Sequence, residues 1–481
     1  MRTLLVYADD SLFPPELNAI VGGGRFGEIV FRRRKLAERI AALAAESGME
    51  MVTLNRPEDR AGLFGAIQAK GISRVVHVSS RLAPAQEGVI LDRLKRVRLV
   101  PDACRGTLKD VPCEFFAADA FQYMRLLQQI ESGNDAFGSG GNIPVIALPV
   151  DGAFVEVDSV VGLIDFLSGA FTSRQFNNVA RTDRWVVKSS HDIAKIKSEY
   201  NFVHLLPDSM RYWFLTPFDL KVAEKQASYR MERMLVLDMG QQWINGSTTV
   251  SEFGRFTEDI FNFLDERVKR PCTRQRAEAH FDRLYVDKVR ERRREMEGTE
   301  LLSSLNAMLR AGTAFSSLDE MIELYFDLLM PFRAALPDHE TISHGDACFS
   351  NMLYDKRIRL LKLIDPRGAN AVDDLYLDPH YDLAKLSHSV LGGYDFLVNG
   401  VYDVVIDDEL RMQLVTPEPI FDECATLFID ALTQRALDVR RIRLYEASLF
   451  MSMLPLHRGE PRNVLAYTLC AAATLDEVRS Q

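Results

Sequence analysis

The sequence predicts two domains of different class: an α/β domain with a parallel sheet over residues 1–160, then an α+β domain whose strands come first and whose remainder is mainly helical. Three observations predict this. Short β-rich runs at 3–7, 50–54 and 74–79 alternate with helical stretches, the pattern of a parallel sheet covered by helices. A Gly/Ser/Asn-rich tract from about residue 133 precedes a closing strand and helix, VDGAFVEVDSVVGLIDFL. Beyond residue 180 an alternating strand and one further β-like run give way to helical periodicity.

Composition bounds the rest. With 481 residues, 47% hydrophobic and 26% charged, the chain has globular composition, which excludes disordered, collagen-like and disulfide-scaffold classes. Its 58 Lys+Arg against 68 Asp+Glu give a formal net charge of -10, the wrong sign for holding nucleic acid or anionic lipid over a broad surface. The 6 cysteines form no CxxC pair, which implies a reducing compartment. No run of about 18 apolar residues occurs, and MRTLLVYADD meets two aspartates too soon for a signal peptide. The expectation is a cytoplasmic protein with neither nucleic acid nor membrane as partner.

In chain order, Ile29, Leu36, Ile40 and Leu43 fall on one helical face between the first two strands. DRWVVKSS then alternates as a strand, Trp185 and Val187 on one face and Val186 and Lys188 on the other. Ser189 with Asp192 forms a capping-box pattern, opening a helix that carries Ile193, Ile196, Tyr200 and Val203 together with Glu199. SYRMERMLVL is the next strand, so residues 161–240 make a sheet-bearing lobe and 241–481 a helical one. Residues 269–300, rich in both charge signs but carrying Phe281, Leu284, Tyr285 and Val289, suit an amphipathic helix with a solvated outer face.

The stretch ISHGDACFSNMLYDKRIRLLKLIDPRGA carries the chemistry. MLYD and IRLLKLI read as strands joined by a tight turn around Lys356 and Arg357, which returns Asp365 to the end where Asn351 starts, near Asp346. Phosphoryl transfer needs this set: one carboxylate to accept the proton of the attacking hydroxyl, and an amide oxygen plus a second carboxylate for magnesium. A polar loop beside an ordinary hairpin leaves the joint occurrence of these residues unexplained.

His344-Gly345-Asp346, Asn351, the hairpin and Asp365, followed by DPHYDLAKL, resemble the aminoglycoside phosphotransferase and choline kinase superfamily, small-molecule relatives of protein kinases. The resemblance covers about residue 165 to the C-terminus and implies a two-lobed, protein-kinase-like fold that uses ATP and Mg2+. It implies Asp346 as catalytic base, Asn351 and Asp365 as metal ligands, Lys188 on the ATP α- and β-phosphates, and Glu199 as its ion-pair partner. It further implies that Arg230 to Arg233, with Met231 and Glu232 at the centre, form a hinge whose backbone meets adenine. Two departures stand out: TSRQFNNVARTDR has no glycine where a phosphate-covering turn belongs, and HGDACFSN lacks the Leu common after HGD.

Only fifteen residues separate Asp365 from an amphipathic helix near Tyr381 and no APE occurs, too little for a peptide platform, so the acceptor is expected to be small. Arg367, Asp373, Asp374, His380 and Asp382 are candidate contacts. Cys348 beside His344 lacks an orienting third group, and His380, Asp382 and His388 are poorly spaced for zinc.

Gly22, Gly24 and Gly27 match GxGxxG, yet about fourteen residues separate them from the first strand, unlike a dinucleotide-binding turn. The layout of the first 160 residues instead resembles a sugar-nucleotide nucleotidyltransferase domain that lacks its glycine-rich signature loop. The pairing implies a kinase for a sugar-like metabolite, in the manner of enzymes making precursors of surface polysaccharides. A bifunctional kinase and nucleotidyltransferase, and a pseudokinase scaffold, are the alternatives; the joint presence of Lys188, Asp346, Asn351 and Asp365 argues against the scaffold.

Overall fold

The computed structural model describes residues 2–31, 33–131, 145–169, 177–409, 411–416 and 421–480. The Gly/Ser/Asn-rich tract and the start of TSRQFNNVARTDR lie outside the described residues. Two compact units are formed, Met1–Ala170 and Phe171–Gln481, against an expected boundary near residue 160. The difference is one helix, Val160–Ser168, which belongs to the first unit: Ser159 caps it by accepting from the Gly162 N–H at 3.1 Å, and Phe166 packs on Phe31 at 4.0 Å between ring centroids.

The first unit is built on a six-stranded sheet of β1 (Thr3–Ala8), β2 (Glu50–Leu54), β3 (Arg74–Ser79), β4 (Ala103–Leu108), β5 (Val111–Asp119) and β6 (Val145–Pro149), in the order β2-β1-β3-β5-β4-β6. Strand β1 pairs parallel with β2 and β3, whereas β5 runs antiparallel to both its neighbours. The expected parallel sheet is therefore mixed. The cause is a two-residue hairpin between β4 and β5 in which Lys109 and Asp110 both take positive φ, at 50° and 64°. That is the hairpin geometry whose usual signature is Asn-Gly or Asp-Gly.

Alternation along the strands gives the sheet two apolar faces. Leu5, Tyr7, Val76, Val78 and Phe115 pack with Ile40, Leu43, Ile90 and Leu94 on one side, and Leu4, Val6, Val75 and Phe116 with Leu63, Ile67 and Tyr123 on the other. The helix expected around Ile29 begins at Leu36 (Leu36–Glu46), because Val30–Phe31 and Arg34–Lys35 form a short antiparallel pair turning through Arg33 at φ 68°.

The second unit opens with a four-stranded antiparallel sheet, β7 (Asn177–Arg181), β8 (Trp185–Ser190), β9 (Phe218–Val222) and β10 (Ala227–Glu232), in the order β7-β8-β10-β9. Helix α1 (Ile193–Leu205) lays Ile193, Ile196 and Tyr200 on Tyr229 and Met231 of this sheet. The α1 cap is Asp192, which accepts from the Lys195 N–H at 3.0 Å, and not Ser189, which remains in β8.

Helices fill most of the remainder, among them α2 (Val250–Glu266), α3 (Arg274–Phe281), α4 (Lys288–Glu295), α5 (Tyr381–Val390), α6 (Val439–Met453) and α7 (Pro461–Ser480). The expected amphipathic helix over 269–300 starts at Arg274 and passes through a π-helical turn, Asp282–Asp287, before α4. Its Phe281, Leu284, Tyr285 and Val289 are buried in one core with Tyr381, Tyr445 and Phe450. No helix among the described residues is long and apolar enough to cross a membrane.

Candidate active site

Strand β8 carries Lys188 opposite Tyr229 of β10, leaving the side chain 4% exposed. Its ammonium lies 2.8 Å from Glu199 Oε2 on α1 and 2.8 Å from Asp365 Oδ1. The Tyr229 hydroxyl donates to the same Glu199 oxygen at 3.1 Å. Burial alone would push Lys188 down, but the Asp365 and Glu199 carboxylates outweigh it and hold the ammonium above its ordinary range. Burial pushes the Glu199 carboxyl up, and Lys188 opposes that push.

Asp365 is placed by the hairpin of β11 (Met352–Asp355) and β12 (Leu360–Leu363), in register Met352 to Leu363 through Asp355 to Leu360. The pairing continues beyond the strands, where the Ile364 N–H donates to the Asn351 carbonyl at 3.0 Å. Asn351 and Asp365 thus stand at one end of the hairpin.

His344 ties this end to Asp346. Its Nε2 donates to the Ile364 carbonyl at 2.8 Å while Nδ1 accepts from the Asp346 N–H at 3.2 Å, so the imidazole is held as the neutral Nε2–H tautomer. The Asn351 amide donates to the Asp346 carbonyl at 2.8 Å and to its Oδ2 at 3.2 Å. Gly345 between them has φ 78°, and a methyl group there would come within 2.7 Å of Arg367 Cβ, so only glycine fits this turn. Beneath it, Asp382 of α5 accepts from the Gly345 and His344 N–H groups, both at 2.9 Å, and pairs with buried Arg267 at 3.2 Å.

Of the residues given catalytic, nucleotide or metal roles from sequence, Glu199, Lys188 and Asp365 are joined by ion pairs and Asn351 and Asp346 by hydrogen bonds, and the Ile364–Asn351 backbone bond links the two groups. Met231 and Glu232 lie outside both, opposite Val186 and Trp185 at the end of β10. The Met231 side chain is buried in the sheet–helix core.

Residues outside that set also matter. Lys385 of α5 reaches Asp346 Oδ1 at 2.9 Å, and that carboxylate outweighs its burial to hold the ammonium above its usual range. Lys385 follows Asp382 by one helical turn, so both project from one face of α5; that spacing was the available signal. Of the expected contacts, His380 pairs with Asp378 at 3.1 Å, and Asp382 is buried as the anchor of the Gly345 turn.

Cys348 is buried with its thiol pushed up to about 12, chiefly by burial, which suits packing and not nucleophilic attack. His388 is enclosed by Tyr394 and Phe450. Among the described residues no group of three His, Cys, Asp or Glu side chains converges as a metal site. The donor set at the hairpin end suits a different ion. With its amide nitrogen donated to Asp346, Asn351 presents its side-chain oxygen, and Asp365, 40% exposed, presents a carboxylate. Two oxygen ligands fit magnesium, which keeps several waters.

No protein-family model matches the chain, and no curated protein matches it in sequence. Solved structures do. Aminoglycoside phosphotransferase APH(4)-Ia is 12% identical, with 64% of this chain and 92% of that one covered and a TM-score of 0.40. A variant of that enzyme is solved with ADP and hygromycin B. Aminoglycoside-3'-phosphotransferase of type VIII is 16% identical (58% and 88% covered, TM-score 0.34), and an ethanolamine kinase from Plasmodium vivax 10% (65% and 86%, TM-score 0.31).

Proposed function

We propose that the second unit is an ATP- and magnesium-dependent kinase that phosphorylates a hydroxyl of a small, sugar-like metabolite. The observation that carries the reading is the bonded network from Glu199 through Lys188, Asp365 and Asn351 to Asp346. Each member has a role in phosphoryl transfer, and apart from the Ile364–Asn351 hairpin bond none of the contacts is needed merely to close a hairpin.

In this reading Lys188, fixed by Glu199, sets positive charge against the ATP α- and β-phosphates, and the β10 backbone at Met231 and Glu232 borders the adenine. Asn351 and Asp365 would hold magnesium, which when bound supplies charge neutralisation at the phosphates. The acceptor hydroxyl oxygen forms a bond to the γ-phosphorus as the bond from that phosphorus to the ADP oxygen breaks. Asp346, oriented by Asn351 and Lys385, takes the hydroxyl proton and passes it to water. No disulfide is formed among the described residues, which supports a cytoplasmic, ATP-supplied setting. For the first unit we read a nucleotidyltransferase-like domain without catalysis.

The test is acceptor-dependent ADP release by the full chain across sugars, polyols and amino alcohols. Asp346→Asn should keep nucleotide binding and lower turnover by roughly two to four powers of ten. Asp365→Ala should abolish the magnesium dependence of ATP affinity in calorimetry. An unchanged rate in the first variant, or unchanged magnesium dependence in the second, removes that residue from the mechanism.

A further inference from the structure

A cavity of about 400 Å3 adjoins the Gly345 turn, lined by Arg276, His280, Arg283, Arg367, Asp373 and Tyr376, among others. Its volume lies in the range of small-molecule sites. Its charge is the unusual feature. Asp373 is committed to Arg270 and Arg276, both at 2.8 Å, and Glu340 beneath it receives Arg270, Arg276 and His280. Asp374 is taken up by the backbone N–H groups of Asn370 and Ala371.

That leaves two guanidiniums with no carboxylate in hydrogen-bond contact among the described residues. Arg283, in the π-helical turn, donates only to His280 Nδ1 at 3.2 Å, and Arg367 has no side-chain acceptor among the described residues. Burial, followed by the positive charges of Arg367 and Arg276, pushes Arg283 below its ordinary range. Both side chains are exposed at the cavity wall, where Asp374 offsets part of the charge on Arg283 without bonding to it, so the pair stays available to an anionic ligand that would relieve their mutual repulsion.

The cations continue to the reacting centre. The Arg367 stem packs on Gly345, next to Asp346; Lys288 feels both Arg367 and Lys385; and Lys385 pairs with Asp346. An acceptor whose hydroxyl meets Asp346 therefore has basic side chains close by.

We infer that the acceptor is an anion: a hydroxyl compound carrying a phosphate or carboxylate group, which Arg283 and Arg367 bind while its hydroxyl is presented to Asp346. The inference rests on the kinase reading and names its substrate class. Forked guanidiniums suit the paired oxygens of either group, and the carbon skeleton occupies the rest of the cavity.

The test measures ADP release by the full chain with glucose, glucosamine, glucose 6-phosphate and gluconate, and with glycerol, glycerol 3-phosphate and glycerate. Turnover should be confined to the anionic compounds, the phosphate or carboxylate arm identifying the group. Arg283→Gln and Arg367→Gln should each raise KM for that compound at least tenfold, with Arg367→Lys in between. A neutral or cationic compound with a kcat/KM equal to the best anion, or an unmoved KM in both glutamine variants, overturns the inference and leaves the kinase reading intact. Calorimetry with inorganic phosphate provides a readout free of turnover: wild type should bind it, and a doubly substituted Arg283→Gln, Arg367→Gln chain with unchanged thermal unfolding should not. Equal phosphate affinity in the two also overturns the inference. Phosphate bound at the arginines with no ADP release from any class sinks the kinase reading, and with it the anion's role as acceptor.

Discussion

His344 ties Asp346 to Asp365 with one ring, one nitrogen on the backbone of Asp346 and the other on the residue before Asp365. Asp382 does the same from below, and its loss would be felt first in stability. Asp382→Ala strands a buried Arg267 and two backbone N–H groups, which should cost about 3–5 kcal/mol, read as a lower urea midpoint. Asp346→Asn, by contrast, should leave that midpoint nearly in place. A second pair of carboxyls predicts pH dependence. Asp238 is pushed up to about 8 and Asp395 to about 7, in both cases chiefly by burial, with Asp395 adding to the push on Asp238. Both are protonated in the folded chain at pH values where the unfolded chain has lost those protons, since an exposed Asp titrates near 3.9. Stability should therefore fall as pH rises from about 4 to about 8, and level off above. Asp395 Oδ2 has no hydrogen-bond partner, so Asp395→Asn should flatten that slope in unfolding measured from pH 5 to 8. A slope identical to wild type would contradict the assignment. The His344, Asp346, Asn351 and Asp365 set was legible because fixed offsets and a hairpin bring those oxygens together. Lys385 was harder to read because its partner lies 39 positions away in sequence and the local signal is no more than its one-turn spacing from Asp382.

Elements were legible where side-chain period and boundary residues agreed. Strands β1, β2 and β3 fall on the short β-rich runs, β8 falls where alternation put it, the β11–β12 hairpin falls about its expected turn, and α5 begins at Tyr381 as expected. Where two boundary residues competed, sequence could not choose. Ser189 and Asp192 both suit an N-cap, but Ser189 is paired opposite Ser228 in the sheet, which leaves the cap to Asp192. The β4–β5 hairpin stayed hidden for a related reason: Lys-Asp is a poor left-handed turn, and its strand pairing imposes the conformation that its side chains do not favour. The cap choice is testable because α1 carries Glu199. Asp192→Ala should destabilise the chain by about 1 kcal/mol, the usual scale for losing an N-cap. By loosening the helix that positions Glu199, it should also raise KM for ATP more than it lowers kcat. A raised acceptor KM with ATP KM unchanged would show that α1 does not serve the nucleotide.

At the scale of the chain, the two units carry separate cores, and the first bears on whether the proposed kinase activity would have a second beside it. Nucleotidyl transfer onto a sugar phosphate needs donors around a triphosphate and carboxylates open to magnesium, because both attacking and leaving oxygens are anionic. The end of β1 offers the only close pair of carboxylates along that strand, Asp9 and Asp10. Asp9 is buried, accepts from the Gly27 N–H at 3.0 Å, and sits where a side chain at Gly27 would meet it at 2.3 Å. It thus holds the glycine segment down instead of leaving that segment's N–H groups open to phosphate. Asp10 is paired with Arg60. Asp158 is exposed, but a single carboxylate without a phosphate loop is a weak metal site. The full chain should accordingly release no pyrophosphate from any common nucleoside triphosphate mixed with a sugar phosphate, while its ADP release persists. Pyrophosphate release that requires the sugar phosphate, survives Asp346→Asn and disappears in Asp158→Ala would assign a second catalytic centre to the first unit and make the protein bifunctional.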